Sequence, residues 1–259
     1  MRQFRLLPSA VVILAVAWYA RPATAQDPLE TETCRFLKQG TGKLVNAVEF
    51  QTSDTGKELD ILLAIEFGIF DTLEIEVEPV VYTSIHPKAG ANVSGFGDTE
   101  ATLKYVFLSE SDPYPGLAIA AEVKVPSSKN ILIGTGEPDY TLTLIASKKL
   151  GDFDLHANLG FTIPGNPPGL SVNTTFNYAV AAVYSVGPTV DVLGEILGTT
   201  SSNKSGSAEN SASPEVSGGE VQVFLGARWN FTPMARLFFG VGYDNNSATL
   251  LRVGISLKF

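Results

Sequence analysis

The strongest constraint on the fold is an alternation of apolar and polar residues that recurs along most of the chain. In the segment ELDILLAIEF (58–67), leucine, isoleucine or phenylalanine occupies every second position, and Glu58, Asp60 and Glu66 lie between them. Successive side chains of a β-strand point to opposite faces, so this pattern predicts a strand with one apolar and one polar face. Similar runs of about 9–11 residues recur about twelve times, which predicts an all-β chain.

The length and spacing of these runs favour a membrane barrel over a soluble β-sandwich. A tilted strand crosses a bilayer with about 9–11 residues. The connections alternate between short ones, such as 68–71, 149–152 and 230–234, and long ones, such as 83–98, 126–139 and 199–218. An even number of strands with short turns at one end and long loops at the other is the layout of outer-membrane barrels. We therefore predict an antiparallel transmembrane β-barrel of about twelve strands over residues 43–259.

Aromatic residues lie near the ends of the predicted strands, on their apolar faces. Phe153, Tyr184 and Trp229 fall close to short turns, and Phe161 and Tyr243 fall toward long loops. Rings at both ends of a strand are typical of the two membrane interfaces.

The chain ends on Phe259, in register with the apolar face of the last strand. A barrel leaves no backbone unpaired in lipid, so the last strand is expected to close against the first, with Phe259 as an interfacial anchor. A terminal aromatic strand also resembles the signal that the bacterial outer-membrane assembly machinery reads.

The first 25 residues are predicted to be a cleaved signal peptide rather than part of the fold. Arginines precede a short apolar run, and Ala23 and Ala25 provide the small residues of a cleavage site, with the cut after Ala25. The protein is therefore expected to be exported to the bacterial outer membrane. Residues 26–42 are predicted to form a flexible periplasmic segment. Cys34, the only cysteine, is predicted to be an incidental thiol in this segment or, alternatively, to form an intermolecular bridge.

Charge and motifs exclude several classes of function. Removal of residues 1–25 takes away three arginines and no acidic residue, so the formal net charge of −9 becomes −12. An acidic exported chain is a poor nucleic-acid binder. No Cys/His spacing for a metal occurs, and no glycine loop has the context of a nucleotide site, so neither metal nor cofactor is predicted. The expected partners are outer-membrane lipid, the assembly machinery and a small solute.

If the apolar faces meet lipid, the polar faces line the lumen, and their charges are unevenly distributed. Acidic residues cluster on the second and third strands and basic residues on the last three, and we expect these positions to tune solute selectivity. The acidic residues are Glu58 and Asp60 together with the four that we call the acidic wall, Glu66, Glu74, Glu76 and Glu78. The basic residues are Lys258 together with the three that we call the basic wall, Arg228, Arg236 and Arg252. The other candidate lumen residues are Lys104, Glu122, His156, Asn158, Asp191 and Glu195.

The two walls are predicted to face each other near the short-turn end. Arg228 and Arg236 flank one short turn and Glu66 and Glu74 flank another, so the members of each pair are expected to lie opposite each other. This arrangement would give either a transverse field across an open pore or ion pairs that block it. The alternative is a water-filled interior that tolerates any charge.

Several stretches resemble one family, the outer-membrane transporters of the MetA pathway of phenol degradation. They are PLETETCRFLKQGTGKLVNAVEF at the start, GFGDTEATLKYVF with Lys104 and Tyr105, VDVLGEILG, and the longer block KVPSSKNILIGTGEPDYTLTLIASKKLGDFDLHANLGF. The segment around Cys34 departs from the usual form. The resemblance implies a barrel and a transport role for aromatic or hydrophobic compounds, and it provides no catalytic residues.

The sequence therefore predicts an outer-membrane channel for passive passage of small solutes, and two alternatives remain open. One is a non-transporting barrel that acts through its surface loops, and the other is a barrel hydrolase. A hydrolase is disfavoured because His156 and Asn158 project inward, whereas an outer-membrane lipase needs its catalytic group on the lipid side.

Overall fold

The computed structural model describes residues 28–130, 132–167, 172–201 and 219–259. The predicted signal peptide and most of the 199–218 loop lie outside these ranges. The described residues form thirteen β-strands. Their bounds are β1 Gly42–Thr52, β2 Gly56–Phe70, β3 Leu73–Pro87, β4 Val93–Gly95, β5 Thr99–Leu108, β6 Gly116–Val125, β7 Asp139–Leu150, β8 Phe153–Ile163, β9 Thr175–Ser185, β10 Val190–Thr199, β11 Glu220–Thr232, β12 Ala235–Asp244 and β13 Thr249–Lys258.

Twelve of these strands form a closed antiparallel barrel. Each pairs with its neighbours in chain order, β3 pairs directly with β5, and β13 pairs back with β1. The closing ladder continues to the last residue, where the N–H of Gly42 donates to the carbonyl of Phe259 at 2.8 Å and the N–H of Phe259 donates to Gly42 at 2.9 Å. The predicted barrel of about twelve strands is therefore confirmed.

The thirteenth strand, β4, lies outside this ring. It pairs only with the far end of β3, where Ser84 faces Ser94. The sequence predicts a loop from residue 83 to residue 98, but β3 extends to Pro87 and β4 continues the pairing. Strand β3 is thus longer than predicted because its outer part pairs with β2 on one side and, over residues 83–85, with β4 on the other.

The outer surface of the barrel is apolar and carries aromatic residues at both ends. Large side chains such as Leu142 and Leu225 are exposed on this face. The rings of Phe153 and Tyr184 lie 4.7 Å apart at one end of the strands, and those of Phe161 and Phe176 lie 5.2 Å apart at the other. Such bands sit well at lipid–water interfaces. Separately, no helix in the described residues is long and apolar enough to span a membrane.

The two ends of the barrel differ as predicted. At the short-turn end, two-residue connections at 71–72, 151–152 and 233–234 join neighbouring strands. At the long-loop end, the connections include 126–138 and 164–174. Both β1 and β13 meet the short-turn end, at Gly42 and Phe259.

The segment before β1 does not lie outside the barrel. The sequence predicts residues 26–42 to be periplasmic, but residues 28–37 contact inward-facing side chains of β3, β7, β8 and β10 and so run through the lumen. We call residues 28–41 the plug. Its path starts near mid-height, beside β10, and descends to the short-turn end, where it enters β1.

Candidate functional site

The first part of the plug is held by one carboxylate on β10. Glu195, which is 2% exposed, accepts hydrogen bonds from the backbone N–H of Glu30 at 3.1 Å and of Thr31 at 2.9 Å. It also accepts from the Thr31 hydroxyl at 2.8 Å and from the N–H of Leu29. Charge-assisted bonds to a carboxylate are stronger than neutral ones, so Glu195 is a strong anchor for this end of the plug.

The middle of the plug is held by neutral side chains on β7 and β8. The amide of Asn158 accepts from the N–H of Glu32 at 2.8 Å and donates to its carbonyl at 3.0 Å. The hydroxyl of Ser147 accepts from the N–H of Cys34 at 2.9 Å and contacts Nδ1 of His156 at 2.8 Å. Cys34 is therefore a half-buried residue bonded to the barrel wall, in contrast to the predicted flexible segment.

The last part of the plug joins the short-turn end. The N–H of Leu37 donates to Glu74 at 2.7 Å, and the N–H of Gly40 donates to the carbonyl of Gly68 at 2.8 Å. Gly68 leaves no room for a side chain, because a Cβ there would lie 2.8 Å from the Leu37 carbonyl oxygen. The close approach of the two backbones therefore requires glycine at residue 68.

The two acidic residues of the plug each pair with a cation of the wall. Glu30 pairs with Arg252 on β13, and Glu32 pairs with Lys104 on β5 at 3.0 Å. The plug thus bridges different sides of the lumen through opposite charges.

The one guanidinium of the plug pairs with two carboxylates near the short-turn end. Arg35 contacts Asp154 at 2.6 Å and Glu110, in the β5–β6 connection, at 2.5 Å. Burial tends to raise the pKa of Glu110, but hydrogen bonds from the N–H of Lys149 and from Arg35 outweigh it, and the pKa lies below its ordinary value of 4.5. Glu110 is therefore ionised at neutral pH and holds Arg35.

The walls of the lumen also pair charges among themselves. Lys104 contacts Glu74 at 3.2 Å and Glu76 at 2.5 Å, and Lys43 contacts Glu66 at 2.6 Å. On the other side of the lumen, Arg228 pairs with Asp191 at 3.1 Å. The acidic wall is thus compensated by lysines on the adjacent β1 and β5.

The two walls adjoin rather than simply face each other. Because β13 pairs with β1, the basic and acidic walls meet across β1, where Arg252 lies 3.7 Å from Glu49. Both walls line the same cavity, together with the plug. Barrel closure, which brings the first and last strands together, is the physical reason for this arrangement.

The predicted pairs across the short turns are offset. Glu66 lies opposite Glu76 rather than Glu74, and Arg228 lies opposite Phe238 rather than Arg236. Register shifts occur next to both turns, between residues 68 and 70 and between residues 229 and 232. The strands extend further than predicted, to turns at 71–72 and 233–234, so counting back from the predicted turns gives the wrong partner. The bulges themselves shift the pairing by one residue.

Most predicted lumen residues are buried on the inward face. This group consists of Glu66, Glu74, Glu76, Lys104, His156, Asn158, Asp191, Glu195, Arg228 and Arg236. Glu122 and Arg252 are half-buried, and Glu78 is exposed to the cavity. Sequence reasoning missed the plug residues Glu30, Glu32 and Arg35. Glu30 and Glu32 alternate with Thr31 and Thr33, but this local pattern does not show which residues the segment contacts.

A cavity of about 170 Å³ remains beside the plug. Its lining includes Glu76 and Glu78 of the acidic wall, Arg236 and Arg252 of the basic wall, and the ring of Phe238. The cavity therefore combines both signs of charge with an apolar surface.

A closed twelve-stranded barrel with an apolar outside and a polar, plugged lumen is a β-barrel of the outer-membrane type. The chain belongs to the family described as "Putative MetA-pathway of phenol degradation", whose model matches residues 37–259. The resemblance noted from the sequence is thus confirmed.

Three solved structures share the fold at low sequence identity. The COG4313 outer membrane channel from Pseudomonas putida F1 is 15% identical, with a TM-score of 0.66 over 91% of this chain and 100% of that chain. The NanC porin is 11% identical, with a TM-score of 0.59 over 83% of this chain and 100% of that chain. The KdgM porin is 12% identical, with a TM-score of 0.55 over 83% and 99%. No curated protein sequence matches this chain.

Proposed function

We propose that this protein is an outer-membrane channel that passes small solutes, with aromatic or otherwise hydrophobic compounds among them. The observation that carries the proposal is the lumen itself, in which buried charges line a cavity that the plug narrows but does not fill. Membership of the phenol-degradation family and the fold shared with outer-membrane channels and porins support it.

The size of the cavity favours single-ring solutes. An engineered apolar cavity of about 150 Å³ holds one benzene molecule. The cavity beside the plug, at about 170 Å³, is of the same order. Larger solutes would need the plug to move, because its backbone forms one side of the cavity.

A non-transporting barrel is the second candidate, and the plug is the observation that favours it. Hydrogen bonds from residues 29–40 connect the plug to β2, β3, β7, β8 and β10, which favours a lumen that stays closed. Function would then rest with the long loops.

The arrangement around His156 does not favour a hydrolase. His156 contacts Ser147 through Nδ1, and its Nε2 lies 3.7 Å from Asp154, beyond hydrogen-bond distance. The Ser147 hydroxyl accepts the N–H of Cys34, and both Ser147 and His156 are at least 98% buried. A substrate could not reach this group while the plug is in place.

Permeation through liposomes tests the channel proposal. We would refold the chain from residue 26, compare uptake of phenol with that of a sugar of similar size, and record ionic current in parallel. A variant lacking residues 26–37 serves as the open control. Because phenol also crosses lipid unaided, each rate is compared with that of protein-free liposomes. We expect the wild-type protein to speed the entry of phenol more than that of the sugar, and the plug-deleted variant to speed both further. A folded wild-type barrel that speeds neither, while the plug-deleted variant speeds both, would establish the non-transporting alternative.

A further inference from the structure

Two hydrogen-bond donors on β13, at and beside the basic wall, have no acceptor among the described residues. The hydroxyl of Ser256 and Nε of Arg252 are buried and have no hydrogen-bond partner among the described residues. Ser256 is 4% exposed, and both residues line the cavity beside the plug. A buried donor without a partner costs free energy, so such groups mark places where a ligand acceptor is expected.

These donors lie on either side of an aromatic ring. Along β13, the inward residues Arg252, Gly254 and Ser256 follow one another, and on β12 their cross-strand partners are Gly240, Phe238 and Arg236. The ring of Phe238 lies over Gly254, where a Cβ would collide with it. The wall therefore presents a hydroxyl and a guanidinium, then a ring, then a second guanidinium.

One carboxylate already occupies part of this wall. Glu30 of the plug pairs with Arg252, and its neighbour Leu29 packs close to Gly226 and Gly240. The plug thus places an acid and an apolar side chain against the same surface. A carboxylate and an apolar group can therefore both bind against this wall.

We propose that the basic wall is a binding site for small aromatic carboxylates, which deepens the proposed channel function and rests on it. The carboxylate accepts hydrogen bonds from the hydroxyl of Ser256 and the guanidinium of Arg236, and the ring of the solute packs on Phe238. A bound carboxylate near Arg252 competes with Glu30 for the guanidinium, so binding of the solute weakens binding of the plug.

The chemistry favours an anion over a neutral or cationic ring. A guanidinium and a hydroxyl both donate, and a carboxylate accepts two strong bonds, whereas a phenol offers one weaker acceptor. A cation would be drawn to Glu76 and Glu78 instead. Of these, Glu76 is already paired with Lys104.

Calorimetric titration of the folded, detergent-solubilised protein with benzoate, phenol and benzylamine at neutral pH tests this site. We expect benzoate to bind at least about tenfold more tightly than the other two, because hydrogen bonds to charged groups are the stronger ones. Arg236→Gln and Ser256→Ala should each weaken benzoate binding about tenfold and leave phenol unchanged. Glu30→Gln should strengthen benzoate binding by removing the competing carboxylate.

Lys124→Gln is the matched control, since Lys124 faces the lumen near the long-loop end and pairs with Asp139, away from the cavity. It should bind benzoate as the wild type does. Equal affinity for benzoate, phenol and benzylamine, or variants indistinguishable from this control, would overturn the site. The comparison of the three ligands on the wild-type protein needs no substitution, so it tests the site even if a variant fails to fold.

Liposome uptake separates the two proposals. Binding of benzoate without uptake of any solute would support the proposed binding site and contradict the proposed channel function. Uptake of all three compounds at the same rate, without selective binding of benzoate, would leave the channel standing and contradict the site.

Discussion

The acidic and basic walls carry opposite charges, and they differ more in how fully those charges are paired. On the acidic wall, the buried ammonium of Lys104 contacts Glu74, Glu76 and the plug residue Glu32. One cation thereby ties together β3, β5 and the plug. A buried network of this kind is tolerated only when its members compensate one another.

On the basic wall the pairing is incomplete. Arg228 is matched by Asp191, but the Ser256 hydroxyl and Nε of Arg252 lack an acceptor among the described residues. Glu30, which pairs with Arg252, belongs to the plug rather than to the wall. The proposed binding of a carboxylate therefore falls on the wall whose donors are incompletely paired, and the acidic wall holds the plug through Lys104 and Glu74.

The largest expected effect comes from removing the cation of the acidic wall. Lys104→Met leaves three carboxylates without their shared partner, and breaking a buried ion pair from one side costs about 3–5 kcal/mol. Unfolding of the barrel by urea should show this loss. Lys124→Met is the control, because Lys124 is 20% exposed and pairs only with Asp139 in the described contacts, so its loss should be below about 1 kcal/mol. Equal losses for both variants would contradict the role given to Lys104.

A smaller effect is expected from loosening the first part of the plug. Glu195→Gln keeps the shape of the side chain, but it removes the charge that accepts the N–H groups of residues 29–31. The loss of bonds to a charged group, about 1.5–3 kcal/mol, should raise the frequency of open states in single-channel recordings about tenfold or more. Lys124→Gln, which removes a lumen charge that pairs with Asp139 rather than with the plug, should leave the recordings unchanged.

Labelling of Cys34 measures the opening of the plug independently of conductance. The thiol is half-buried and is the only one in the chain, so a maleimide reports opening of the plug at a single position. We expect slow labelling in the wild type and faster labelling in Glu195→Gln, by the same factor as the increase in open frequency. Fast labelling in the wild type would show that the bond from Cys34 to Ser147 does not protect this part of the plug.

The smallest effect concerns pH. The pKa of Glu110 lies below its ordinary value of 4.5, and because Arg35 is one cause of the lowering, the pKa rises toward 4.5 when the plug leaves. The contribution of Glu110 is therefore fully present above pH 4.5 and is lost as pH falls through the lowered pKa. Because Asp154 also holds Arg35, we expect a change of about 0.2–1 kcal/mol, seen as a rise in conductance below pH 4.5 that Glu110→Gln abolishes. If this substitution leaves the pH profile unchanged, Glu110 does not help to hold the plug.

The parts of the molecule that sequence reasoning predicted all depend on local periodicity. The inward position of Glu195 or Arg236 follows from counting alternate residues along one strand, and the interfacial position of Phe153 follows from its distance to a turn. The offsets at Glu66 and Arg228 were missed because the exact position of a turn, and the bulge beside it, cannot be read from the period of a strand.

The plug could not be predicted in this way, since its partners are remote in the sequence. Leu29 and Glu195 are 166 residues apart, and Glu32 and Asn158 are 126 apart. Nothing in the short polar segment before β1 specifies on which side of the membrane it lies. Its hydrogen bonds become available only after the barrel has brought β3, β7, β8 and β10 around one lumen.

The sequence by itself determined that the chain forms strands of membrane length, which face of each strand meets lipid, and that the last strand closes on the first. These features follow from a two-residue period and from the cost of unpaired backbone in lipid. Only the tertiary structure decided that the lumen is plugged, which charges pair, and where Ser256 and Arg252 are left open. Those outcomes depend on contacts between segments that are distant in the chain, and these contacts form only when the barrel closes.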